Sequence, residues 1–115
     1  MIVLNNPETK VPIAIMDGTL ISTIRTGAVT GVCAKYMAPP RSKTVGLFGA
    51  GSQCKTQLMA LKASLPQLEK AYVYDLSRER TEKFAAEMSQ KLNMDVQAAS
   101  DRLATIESGD ILVTA

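Results

Sequence analysis

The segment from Val45 to Cys54 constrains the fold more than any other. An apolar run, Val45-Gly46-Leu47-Phe48, enters the glycine turn Gly49-Ala50-Gly51 and passes directly into a helix-forming stretch at Ser52. A strand that turns through glycines into a helix presents free backbone N–H groups and the positive end of a helix dipole, an arrangement suited to phosphate. In a dinucleotide-binding fold, Gly49 would permit the tight turn, and Gly51 would let a pyrophosphate approach the backbone without a Cβ in the way. Cys54 replaces the third small residue of that fingerprint and is still small enough for close packing of helix on strand. Taken alone, the pattern also fits a structural loop or another nucleotide fold, such as one for S-adenosylmethionine.

Roughly 21 residues beyond Cys54, the next apolar run, Ala71-Tyr72-Val73-Tyr74, ends in Asp75. That is where a dinucleotide fold places the acid that hydrogen-bonds the adenosine ribose. Between the two signals, Cys54, Leu58, Leu61 and Leu65 share one face of a helix that Pro66 stops. Glycine turn and acid support each other, and together they predict a Rossmann-type α/β fold with Gly49, Gly51 and Asp75 around NAD. Asp75 favours NAD over NADP, because a carboxylate repels a 2′-phosphate. Ser77 and Arg78 follow closely and could receive one if their loop turned inward.

Upstream, Ile2 to Leu4 and Val11 to Met16 read as a strand pair, with Pro12 tolerable on an edge. Thr19 is the expected N-cap of a long helix reaching about Ala38, with Ile21, Ile24, Ala28 and Val32 as its apolar stripe. Gly27 and Gly31 lie one turn apart on it. Each costs about 1 kcal/mol in a helix interior, so a close backbone approach is expected there. Beyond Asp75, a helix over Arg78 to Leu92 points Thr81, Phe84, Ala85, Met88 and Leu92 inward and leaves Arg80, Glu82, Lys83, Glu87 and Lys91 on a solvated face. A strand near Val96, a short helix from about Ser100 to Glu107 and a buried strand over Asp110 to Thr114 follow.

Strand-helix units repeated in this way argue for a parallel sheet with right-handed crossovers. Because a dinucleotide fold normally has two such halves, the chain is expected to be a central fragment. Residues 1–38 would belong to a second domain with its connecting helix, and residues 39–115 to an incomplete NAD-binding Rossmann domain. Thr114 would then lie at the lip of the crevice, near the nicotinamide end.

Composition excludes several functions. The 46% hydrophobic content indicates a globular chain, and no apolar run approaches the roughly 20 residues of a membrane span. A net charge of +2, with acids and bases interspersed, gives no basic stripe for nucleic acid. The N-terminus lacks the features of a secretory signal, and a cytoplasmic protein is expected. With no histidine in the chain, a Ser-His-Asp triad and a histidine acid-base are absent, and no residue pattern suggests a metal site. Cys33 and Cys54 fit no redox or metal spacing and are expected to be buried, reduced thiols.

At Met16-Asp17-Gly18, Ile24-Arg25-Thr26-Gly27-Ala28, Ala34-Lys35-Tyr36 and Gly49-Ala50-Gly51-Ser52-Gln53, the chain resembles the ornithine cyclodeaminase and mu-crystallin family. The match covers nearly all of its length. The resemblance implies an NAD-dependent enzyme that takes a hydride from the α-carbon of an amino acid to leave an imine. In a cyclodeaminase, the side-chain amine of L-ornithine attacks that imine, ammonia leaves, and the returned hydride gives L-proline. It also implies a substrate or cofactor role for Arg25, whose guanidinium can hold a substrate carboxylate through two parallel hydrogen bonds, where position alone would equally allow a surface salt bridge. Ser52 and Gln53 would contact the cofactor phosphates, and the full-length protein would form a homodimer. The family's activating lysine lies upstream of this region and its catalytic aspartate downstream, so these residues alone are expected to be inactive. Other readings within the resemblance are an alanine dehydrogenase, a ketimine reductase, or a non-catalytic protein of the mu-crystallin kind that binds NAD(P) and a small ligand.

Overall fold

A computed structural model describes all 115 residues. Strands β1 (Ile2–Asn5) and β2 (Pro12–Met16) form an antiparallel ribbon, from which helix α1 (Thr19–Met37) departs. There follow β3 (Thr44–Phe48), α2 (Ser52–Ser64), β4 (Lys70–Tyr74), α3 (Arg78–Leu92), β5 (Asp95–Ala98), α4 (Arg102–Ser108) and β6 (Ile111–Thr114). The last four strands make one parallel sheet in the order β5-β4-β3-β6. The chain steps outward from β3 through β4 to β5, then returns to lie on the other side of β3. Strand order therefore reverses between β3 and β6, and in open parallel sheets a ligand crevice forms beyond the strand ends at such a reversal.

Burial explains why these segments become these elements. Val45 and Leu47 of β3 and Ala71 and Val73 of β4 are fully buried, as expected for short apolar strands covered by helices. From α2, Cys54, Leu58 and Leu61 close over them, and from α3 Phe84 and Met88 do the same. The helical spacing of these residues in the sequence is the spacing of one covered face. At the N-terminal edge of the sheet, one Asp110 carboxylate oxygen accepts hydrogen bonds from the amides of Lys43 and Thr44 and from the Thr44 hydroxyl, at 2.8, 3.0 and 2.9 Å. This fastens the start of β6 to the start of β3.

Helix α1 departs from expectation in two ways. Its N-cap is Gly18, not Thr19; the Asp17 carboxylate instead accepts from both the amide and the hydroxyl of Thr19. Its covered face is Gly27, Gly31 and Ala34, whereas Ile21, Ile24, Ala28 and Val32 are exposed. The cause is how closely α1 lies on α2. A Cβ on Gly27 would sit 2.6 Å from the Thr56 carbonyl carbon, and one on Gly31 would sit 2.8 Å from the Ala60 oxygen. Only glycine allows that approach, so the small residues mark the contact and the large ones face away. Cys33, also on this helix, is exposed rather than buried, while Cys54 is buried and its thiol is pushed up to about 11, first by desolvation and then by the Asp75 charge.

Candidate functional site

The C-terminal ends of β3, β4 and β6 meet at a crevice of about 350 Å³, bounded by Phe48, Gly49, Tyr74, Asp75, Leu76, Arg80 and Ala115. The glycine turn forms its floor. Gly49 has φ +110°, a left-handed conformation that favours glycine, and a Cβ there would collide with the Ala115 carbonyl oxygen. Its glycine is thus explained by the passage of β6 alongside β3. Gly51 differs. Its backbone is extended, with φ −92° and ψ −178°, a conformation any residue adopts. A Cβ there would come within 4 Å of one atom only, Arg80 Nη2 at 3.8 Å. Neither backbone strain nor packing within the chain calls for a glycine at position 51. What its missing side chain keeps open is the space in front of α2.

That space faces unsatisfied donors. Gly51 caps α2 without any side-chain hydrogen bond, and no acid lies in the first turn of the helix. By contrast, Ser77 caps α3 through its side chain, as Asp101 caps α4. The first amides of α2 are therefore free for an anionic ligand, reinforced by the helix dipole. Ser52 lies exposed in this first turn. Gln53, next to it, has a buried side-chain oxygen with no hydrogen-bond partner, so the chain alone leaves this acceptor unsatisfied.

Asp75, at the end of β4, is tied into the same turn. One carboxylate oxygen accepts from the Ala50 amide at 2.9 Å and the other from the Ser77 amide at 3.0 Å. These bonds, with that to Ser77 the larger influence, then that to Ala50, then the Arg80 charge, hold the carboxyl below its ordinary range. Asp75 is therefore a carboxylate at neutral pH. Two bonds leave a carboxylate with further acceptor capacity, enough for a pair of hydroxyls. Gly51 and the free amides fit a pyrophosphate, and Asp75 fits a ribose.

Thr114 pairs in register with Phe48, and the Ala115 amide donates to the Phe48 carbonyl at 3.0 Å. This brings the exposed end of β6 beside Gly49. Arg25 lies in α1 between Thr23 and Gly27, both of which meet Thr56 in the second turn of α2. Its part of α1 thus runs beside the N-terminal half of α2. The side chain is exposed and forms no salt bridge. Of the charges assigned to a solvated face of α3, Glu87 pairs with Lys55 at 2.5 Å and Arg80 leans toward Asp75. The position of Arg80 differs from the solvated face expected for it, because nothing in the pattern of α3 separates it from the other charges on its polar face.

Parallel strands that reverse order at a glycine turn, followed by an acid at the end of the neighbouring strand, define the first half of a dinucleotide-binding Rossmann fold. Comparison with known proteins narrows the class. The chain belongs to the ornithine cyclodeaminase/mu-crystallin family, which it matches over residues 1–115. It is 34% identical over 115 residues to an alanine dehydrogenase of Archaeoglobus fulgidus, covering 99% of this chain and 34% of that protein. The structure of Δ1-pyrroline-2-carboxylate reductase from Thermococcus litoralis, in complex with NADH and L-proline, superposes with a TM-score of 0.91 at 43% identity, covering 97% of this chain and 34% of the other. A lysine cyclodeaminase structure, described for its recognition of L-lysine, L-ornithine and L-2,4-diaminobutyric acid, gives a TM-score of 0.89 at 34% identity, covering 98% of this chain and 32% of the other. The chain spans about a third of the length of these relatives. No helix is long and apolar enough to cross a membrane.

Proposed function

We propose that this chain is the cofactor cradle of an NAD-dependent enzyme that transfers a hydride at the α-carbon of a small amino acid or its imine. Gly51 carries the reading: the chain's own backbone and packing do not require a glycine there, whereas a pyrophosphate seated on the first amides of α2 does. Bound there, NAD would supply the hydride acceptor or donor. The chain's own residues bind and orient. The amides at Ser52 and Gln53 receive the pyrophosphate, the Asp75 carboxylate accepts from the adenosine ribose hydroxyls, and Thr114 borders the nicotinamide end. The charge on Asp75 disfavours the 2′-phosphate of NADP. Arg25, free of any ion pair, offers its guanidinium to the substrate carboxylate.

Two substrates fit this chemistry. The 43% identity to a reductase bound to NADH and L-proline favours interconversion of a cyclic imine and proline. The likeness to a lysine cyclodeaminase that recognises L-ornithine favours closure of L-ornithine to L-proline with loss of ammonia. Both reactions place a C=N bond at the α-carbon. In the full-length protein, residues 1–38 belong to a second domain, and the exposed Ile13 and Ile15 of β2 belong to a subunit interface of a homodimer.

Assays of the full-length protein separate the readings. Ornithine cyclisation releases ammonia and proline with no net NADH, whereas proline oxidation gives NADH without ammonia. Absence of turnover with ornithine, proline and alanine, with NAD still bound, favours a ligand-binding protein of the mu-crystallin kind instead.

A further inference from the structure

Arg80 is the one side chain that reaches the open space in front of Gly51. Its Nη2 lies 3.8 Å from the position a Gly51 Cβ would take and 3.8 Å from Asp75 Oδ2. The guanidinium thus spans the gap between the acid assigned to the ribose and the backbone assigned to the pyrophosphate. At 3.8 Å it is too far from Asp75 for a hydrogen bond, and its side chain makes none elsewhere. Its basic neighbours are engaged, Arg78 with Glu82 at 2.8 Å and Lys55 with Glu87 at 2.5 Å. Arg80 also stands in the first turn of α3, where the helix dipole disfavours a cation. A 60% exposed guanidinium with uncommitted donors, held against its own helix dipole, is available to an anion.

We infer that Arg80 is a phosphate-binding residue of the cofactor site, closing over the 5′-side pyrophosphate opposite the amides of α2. The inference rests on the NAD reading above and adds a contact that the glycine fingerprint does not contain. Arg80 also lines a smaller hollow of about 200 Å³ together with Lys83 and the Glu87-paired Lys55.

Calorimetric titration of the full-length protein and its Arg80→Ala and Arg80→Lys variants with NAD, 5′-AMP, 2′-AMP and adenosine tests this. Arg80→Ala is expected to weaken NAD and 5′-AMP by about 10- to 100-fold. Adenosine binding stays unchanged, and the salt dependence of NAD binding becomes shallower. Arg80→Lys recovers part of the affinity, since it keeps the charge and loses the fork. Three outcomes would overturn the inference: unchanged NAD and 5′-AMP binding, a loss confined to 2′-AMP, or an equal loss for adenosine, which would mark an indirect role through Asp75. Failure of the unmutated protein to bind NAD overturns the cofactor reading itself, which the comparison among variants does not address. Thermal unfolding of each variant shows whether the fold is retained.

Discussion

The Asp75 carboxylate accepts a hydrogen bond from the Ala50 amide at 2.9 Å, so the acid that ends β4 is fixed to the glycine turn that ends β3. The proposed ribose and pyrophosphate sites are therefore one rigid unit. Asp75→Asn exchanges one carboxylate oxygen for an amide nitrogen and removes the negative charge. NAD affinity is expected to fall about 10-fold, through loss of charge-assisted hydrogen bonds. NADP affinity is expected to hold or rise, because the repulsion of its 2′-phosphate is gone. Parallel titrations with the two cofactors measure both.

The role proposed for Arg25, toward the substrate carboxylate, separates it from the cofactor in kinetics. Arg25→Ala in the full-length enzyme is expected to raise KM about 10- to 100-fold while leaving the Kd for NAD unchanged. Arg25→Lys restores only part of the loss, since an ammonium cannot form two parallel hydrogen bonds. A matching loss of NAD affinity would move Arg25 to the cofactor side of the site.

Packing of α1 on α2 predicts an inversion of helix propensity. Gly27→Ala would gain up to about 1 kcal/mol in an isolated helix. Here its Cβ meets the Thr56 backbone at 2.6 Å. A net destabilisation of about 1–3 kcal/mol is expected from the overpacked contact, and urea unfolding of the variant measures it.

How much of this was legible in the sequence depends on what the signal was. Leu58, Leu61, Phe84 and Met88 repeat at helical spacing, and β3 and β4 are short apolar runs, so periodicity alone marks their inner faces. On α1 the same rule points the wrong way. Ile21 and Ile24 form the most apolar stripe, yet contact with α2 runs through Gly27 and Gly31, because how close two helices lie favours small residues over large ones. Periodicity finds an apolar face and cannot say what covers it. Gly49, Gly51 and Asp75 were legible as a set because a local turn and a fixed spacing define them. Arg80 was not, since its place beside Gly51 arises only when β3 and β4 pair and bring α3 to the turn.

Asp110 gives the fold an acid-sensitive joint. The Lys43 amide, the Thr44 amide and the Thr44 hydroxyl, in that order of influence, hold its carboxyl below the ordinary range. A carboxyl lowered by folding contributes stability above its unfolded-state value, and that contribution is lost as pH falls through the folded value. Urea unfolding is therefore expected to show stability falling as pH drops from the ordinary carboxyl range downward. Asp110→Asn, which cannot ionise, should be less stable at neutral pH and show a shallower decline. An equally steep decline in the variant would assign the acid sensitivity to other carboxyls.

Position 51 separates cofactor binding from folding. Gly51→Ala adds a methyl group that the extended backbone accepts and that meets nothing in the chain closer than Arg80 Nη2 at 3.8 Å. Replacing a glycine where the backbone tolerates it also reduces the entropy of the unfolded chain. The measurement is NAD titration of the full-length protein and its Gly51→Ala variant, with thermal unfolding of both. An equal or higher Tm is expected, with NAD affinity lowered by about 10-fold or more, since the methyl group occupies the approach of the pyrophosphate. Unchanged NAD affinity in a stable Gly51→Ala variant would rule out a pyrophosphate seated against Gly51.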